Sequence, residues 1–110
     1  MNWNDETYHG VTLVKLKGFL KIFHDNDDST LSFMTLAAVQ YVKEYLGDED
    51  VAYIEETYTT TIPEVLQVAV CGLVKYWYDE YYLSSADTDY SDIPKHVTGL
   101  IDMYAVKRVY

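Results

Sequence analysis

The chain is short of cysteine, proline and positive charge, and each shortage removes a class of answers. A single thiol, Cys71, has no internal partner for a disulfide, so a reducing compartment is the simplest expectation. The only prolines, Pro63 and Pro94, leave long stretches free to be helical. Eight basic residues against eighteen acidic ones give a formal charge of −10. That balance disfavours patch-electrostatic binding to nucleic acid or to anionic membranes, both of which need the opposite sign. The longest uncharged apolar run, Val65 to Val74, includes Gln67 and falls well short of the ~20 residues that cross a bilayer. The start, MNWNDETYHG, is polar and acidic with no signal-peptide pattern, so a soluble intracellular protein is expected. No glycine-rich phosphate loop and no Ser/His/Asp arrangement is visible, and no enzyme activity is expected.

What is present is apolar surface with helical period. Hydrophobic residues make up 49% of 110 residues, enough for one modest core in a single domain over 1–110. The segment Ile62 to Tyr82, IPEVLQVAVCGLVKYWYDEYY, reads as one long helix started by Pro63, with Glu64 near its positive end. Leu66, Ala69, Val70, Leu73 and Trp77 form a core stripe. Val65, Val68, Val74, Tyr76, Tyr78, Tyr81 and Tyr82 lie off that stripe, so the helix is apolar on several sides.

Three further helices are expected. Thr12 caps the first, in which Leu13, Leu16, Leu20 and Phe23 share a face opposite Lys15, Lys17 and Lys21. After the turn HDNDDS, with Asp28 or Ser29 as cap, a second helix spans Thr30 to Leu46 and ends at Gly47. It carries Leu31, Met34, Ala38, Tyr41, Val42 and Tyr45 on one face. Asp48 to Thr61 shows no helical period and reads as an extended segment or isolated strand. Beyond a polar linker, Ser84 to Asp92, a last helix starts at Pro94 with Val97, Leu100, Ile101 and Tyr104 in phase. The expected fold is all-α, a small bundle of about four helices with the second and third longest. Residues 1–10 form a flexible N-terminal arm that Trp3 and Tyr8 can anchor, 12–105 the helical core, and 106–110 a short C-terminal tail.

The chemistry-bearing residues read blandly. Asp25, Asp27 and Ser29 begin like a calcium loop, but its sixth and twelfth positions are Thr30 and Leu36 rather than glycine and glutamate. A capping turn is the better account. His9, His24 and His96 have no metal spacing and read as surface histidines. Cys71, set among valines, behaves as a small hydrophobe whose pKa rises. No metal and no cofactor is expected.

Twelve tyrosines are more than so small a core can hold. Tyr41, Tyr45 and Tyr104 are assigned to core filling. Val65, Val68, Val74, Trp77, Tyr78, Tyr81 and Tyr82 are assigned to a subunit interface, where a large apolar body with a polar tip is favoured. Between Asp48 and Asp92 the sole base is Lys75. The acids there form either a solvated face or a surface that keeps DNA nearby without holding it. The tail Val106, Lys107, Arg108, Val109 and Tyr110 either frays or adds as a short strand to a partner's sheet edge.

Four segments in order resemble the small helical head–tail connector, or head-completion, proteins of tailed bacteriophages. They are TLVKLKGFLKI with HDNDDS, LSFMTLAAVQYVKEYLG, IPEVLQVAVCGLVKYWYDE and IPKHVTGLIDMYA. The match departs at the long acidic segment Asp48 to Thr61 and at Tyr104-Ala105, where an arginine commonly follows the tyrosine. The resemblance implies a non-enzymatic virion protein at the capsid–tail junction, present in the host cytoplasm during assembly. It implies a homo-oligomeric ring, typically of twelve subunits, beneath the portal protein. That ring extends the DNA channel without binding DNA specifically, and offers a platform to stopper or tail-completion proteins. Val106 to Tyr110 would then dock on the portal, and Asp48, Glu49, Asp50, Glu55 and Glu56 would face the channel. The competing reading is a small acidic helical adaptor or inhibitor that binds a basic partner and forms no ring.

Overall fold

The computed structural model describes residues 2–82 and 93–105, and all regular structure among them is helical. Six α-helices appear where about four were expected. The two additions lie in segments whose sequence lacks a long apolar period.

The first addition corrects the expected arm. Helix α1 (Glu6–His9) is started by the Asp5 carboxylate, which accepts from the Thr7 amide at 2.8 Å, and stopped by Gly10 at φ 75°. A side chain at Gly10 would also meet the Gln67 amide at 3.0 Å. Trp3 and Tyr8 are 1% and 2% exposed, their rings edge-on at 6.3 Å. The Tyr8 hydroxyl donates to the Tyr58 carbonyl at 2.8 Å, and the Ile62 amide donates to the Tyr8 carbonyl at 3.1 Å. Two buried aromatics and two long-range hydrogen bonds outweigh the ordering cost of a few polar residues.

Helix α2 (Leu13–Leu20) begins where Thr12 caps the Lys15 amide, as expected, and stops at Lys21, whose φ of 59° turns the chain out of the helix. Lys17 then reaches Asp25 at 2.7 Å and Asp28 at 2.8 Å. The Asp-rich turn is therefore held by a lysine.

Helix α3 (Asp28–Leu46) starts slightly earlier than expected, with Asp27 rather than Asp28 or Ser29 at the cap position. It buries Leu31, Thr35, Ala38, Val39, Val42 and Leu46. Gly47, at φ 90°, ends it and opens helix α4 (Asp48–Thr57) directly.

Helix α4 is the second correction, since this stretch was expected to be extended. Asp48, Glu49 and Asp50 occupy its first turn, where negative charge offsets the exposed amides of the helix start. Val51, Ile54 and Tyr58 then follow at three- and four-residue spacing and pack inward.

Helix α5 (Glu64–Trp77) is the central element. Pro63 occupies its cap position, and Leu66, Ala69, Val70, Leu73 and Val74 are all fully buried. The expected single helix to Tyr82 continues, but Tyr78–Tyr82 adopt a wider π turn. Helix α6 (Lys95–Asp102) follows Pro94 and inserts Val97 and Ile101 into the core. It can approach α5 closely because of Gly72, where an added Cβ would stand 3.1 Å from Val97. Helix α5 packs against α2, α3 and α6, and α4 leans on α3. The expected linker Ser84 to Asp92 and the tail Val106 to Tyr110 lie outside the described residues.

Candidate assembly surface

Because α5 spends its inner stripe on α3, its opposite side is open between α2 and α6. Val68 is 46% exposed there, and Phe19 of α2, 43% exposed, stands beside it. These two side chains line both of two adjoining hollows. One, of about 370 Å³, runs over Gly72, Tyr76 and Leu100 towards α6. The other, of about 450 Å³, runs over Gln67 and Cys71 towards Val11. Together they form a shallow apolar groove along the outer face of α5.

Charges sit at the groove's margins and roughly balance. Lys75 pairs with Asp79 at 2.9 Å on the same helix, and Lys15 donates to the Gly10 carbonyl at 3.1 Å. Glu64 and Glu80 complete the rim. Cys71 lies beneath, and burial pushes its thiol up to about 11, so it stays protonated at neutral pH. Among the described residues no group of three His, Cys, Asp or Glu side chains is placed to hold a metal ion. None of their helices is long and apolar enough to cross a membrane. The surface offers shape and apolar area rather than reacting groups.

The residues assigned to an interface divide sharply. Val68 is in the groove, and Val65 is half-buried and lines neither hollow. Val74 and Tyr78 are instead packed inside the chain, at 0% and 6% exposure, and present no surface to a neighbour. Both lie on the buried side of the helix, and Tyr78 meets the start of α3. The Tyr78 hydroxyl donates to Asp27 in that contact. Trp77 is half-buried, its ring edge-on to Tyr41 at 6.4 Å. Tyr81 and Tyr82 belong to the π turn, but their side chains lie outside the described residues, as do Val106, Lys107, Arg108, Val109 and Tyr110. Of the acids assigned to a channel, Asp48, Glu49 and Glu56 are exposed on α4 and Glu55 is half-buried. Asp50 is 1% exposed and turned into the protein, which removes it from that surface.

The tyrosines assigned to core filling do pack internally. Tyr41 lies against Tyr45 and Trp77, Tyr45 donates to Asp102 at 2.8 Å, and Tyr104 meets the ring of Tyr58. His9 is not the surface residue expected. It is 2% exposed, and its Nδ1 accepts from the Val11 amide at 3.0 Å. Burial lowers its pKa, against the opposing pull of Glu6 and Asp5.

Sequence reasoning missed Phe19, Phe33 and Leu36, which are 43%, 76% and 45% exposed. All three are large apolar residues off the inner stripe of their helices, which is the signal that singled out Val68 on α5.

A family model for phage gp6-like head-tail connector proteins matches residues 11–105, which is nearly the whole helical body. No curated protein and no solved structure matches the chain.

Proposed function

The chain belongs to the family of phage gp6-like head-tail connector proteins, a family of structural virion proteins at the capsid–tail junction, and on that premise we propose that it assembles as a ring beneath the portal. In this reading about twelve copies, the number typical of the resemblance, extend the DNA channel and present a platform to stopper or tail-completion proteins. The observation that carries the reading is the family match over residues 11–105, the part of the chain that supplies the groove on α5. A domain of this size that leaves Phe19 and Val68 exposed side by side has apolar area to bury against something.

The exposed acids of α4, Asp48, Glu49 and Glu56, suit the channel side, because like charge keeps a passing polyanion from adhering. The basic tail, Lys107 and Arg108 between Val106 and Tyr110, is assigned to the portal, as an added strand or a charged clasp. No catalytic step enters the proposal.

Electron microscopy of purified portal rings, with and without the protein, tests it. An added ring-shaped layer below the portal is expected, and deletion of Val106 to Tyr110 is expected to weaken its attachment while leaving the helices intact. A portal that acquires no layer in the presence of excess protein overturns the ring.

A further inference from the structure

A closed ring of identical subunits needs two different surfaces per subunit, one given and one received. The groove on α5 is one of them, and the structure holds a second with a matching character on the opposite side. Helices α3 and α5 face each other through their buried stripes, so their outer sides point away from one another. On the outer side of α3 stand Phe33, 76% exposed, and Leu36, 45% exposed, with Ser32, Ala37 and Gln40 around them.

Charge says what such a face can meet. Every copy of this chain carries a formal charge of −10, so two copies repel unless they meet where acids are absent or balanced. From Ser29 to Val42 no residue is charged, the longest stretch of that kind in the chain. A basic partner would find no acid within that stretch to pair with. A second copy meets a face whose own residues carry no charge, with acids only at its margins, Glu6 sharing a hollow with Leu36 and Glu44 accepting from Gln40. The groove fits the same condition, since its rim holds two lysines against three acids around Phe19 and Val68. The ridge is led by an aromatic side chain, whereas the groove is shallow, with Gly72 and Val97 among its lining.

We propose that the subunit seam is made by the uncharged outer face of α3, led by Phe33 and Leu36, seated in the Phe19–Val68 groove of the next copy. This rests on the ring reading above and adds the identity of both halves of the contact. The seam is head-to-tail: each copy gives its α3 face and receives another's.

The test separates the two ideas. Wild-type protein is first examined by sedimentation velocity, alone at high concentration and with purified portal rings. A monomer in both conditions overturns the ring and the seam together. In the condition that assembles, Phe33→Lys and Val68→Lys are compared; lysine moves the net charge towards zero, so loss of assembly cannot come from added acid repulsion. Each variant, checked for unchanged helicity by circular dichroism, is expected to lose higher assembly. Their equal mixture retains one intact face and one intact groove, so off the portal it recovers a dimer and nothing larger.

As a second reading, Phe33→Cys with Val68→Cys in a Cys71→Ala background is joined by a short bis-maleimide in the assembling condition. A ladder of dimer, trimer and higher products is expected, and each single-cysteine control yields none. Wild-type assembly with no ladder, or full assembly by either lysine variant alone, overturns the seam and leaves the ring standing.

Discussion

The Tyr78 hydroxyl donates to Asp27 Oδ2 at 2.5 Å, joining the start of the π turn to the residue that opens α3. This bond fixes the end of one central helix against the beginning of the other, between residues 51 apart in sequence. It also explains why Tyr78 faces inward: its ring is 6% exposed and its polar tip has a charged acceptor.

Removing that hydroxyl is the cleanest measure of the link. Tyr78→Phe keeps the ring in the core and leaves one buried-side acceptor without this donor, so a loss of about 1–2 kcal/mol is expected. Urea unfolding of the variant beside the wild type checks it, and an unchanged midpoint would show that the bond contributes nothing net.

Two valines on one helix are expected to behave oppositely. Val74 is fully buried, so Val74→Ala is expected to cost about 2 kcal/mol of monomer stability. Val68 is 46% exposed, so Val68→Ala is expected to stay within about 0.5 kcal/mol in the monomer while weakening assembly. Thermal melts and sedimentation on the same two variants decide it; equal stability losses would place Val68 in the core.

His9 sets a specific acid sensitivity. Burial holds its folded pKa below its ordinary value of 6.5, so below that value the unfolded chain takes up the proton more readily than the folded one. Stability is therefore expected to fall as pH drops from about 6.5 through the folded pKa, and to gain nothing from His9 above that range. His9→Asn keeps a side-chain acceptor for the Val11 amide and cannot titrate. Its stability should change less than wild type between about pH 6.5 and 5, measured as urea midpoints. Parallel slopes would be inconsistent with a buried neutral His9.

Trp3 provides the test of the folded N-terminal segment. With 1% of its surface exposed, Trp3→Ala is expected to cost about 3–5 kcal/mol. A flexible arm would tolerate the change, and an unaltered melting temperature would restore that description.

The long helices were legible because their periodicity is redundant. Leu31, Ala38 and Val42 on α3, and Leu66, Val70 and Leu73 on α5, repeat one phase over several turns and all are buried. Helix α4 was not legible, because only Val51 and Ile54 carry its phase amid acids and tyrosine, and its stability rests on α3. The N-terminal segment was missed for a related reason. Its two anchors, Trp3 and Tyr8, lie outside any helical period, and the partners of Tyr8, Tyr58 and Ile62, are distant in sequence. On α5, counting every residue off the ideal stripe as exposed erred at Val74 and Tyr78, since the buried arc of a central helix is wider than one stripe. The outward half of the groove assignment, Val68, was readable; Phe19 and Phe33 carried the same mark in helices where it was not followed.

The docking of Tyr8, with Trp3 packed on its ring, onto the α4–α5 junction also sets an order of events during synthesis. Both aromatics leave the ribosome long before Tyr58 and Ile62, so early in translation the two hydrogen-bond partners of Tyr8 do not yet exist. They close over the helices only after α4 and the start of α5 are made, as a latch rather than a nucleus. Weakening that latch acts mainly on how fast the finished protein opens, and little on how fast it first folds.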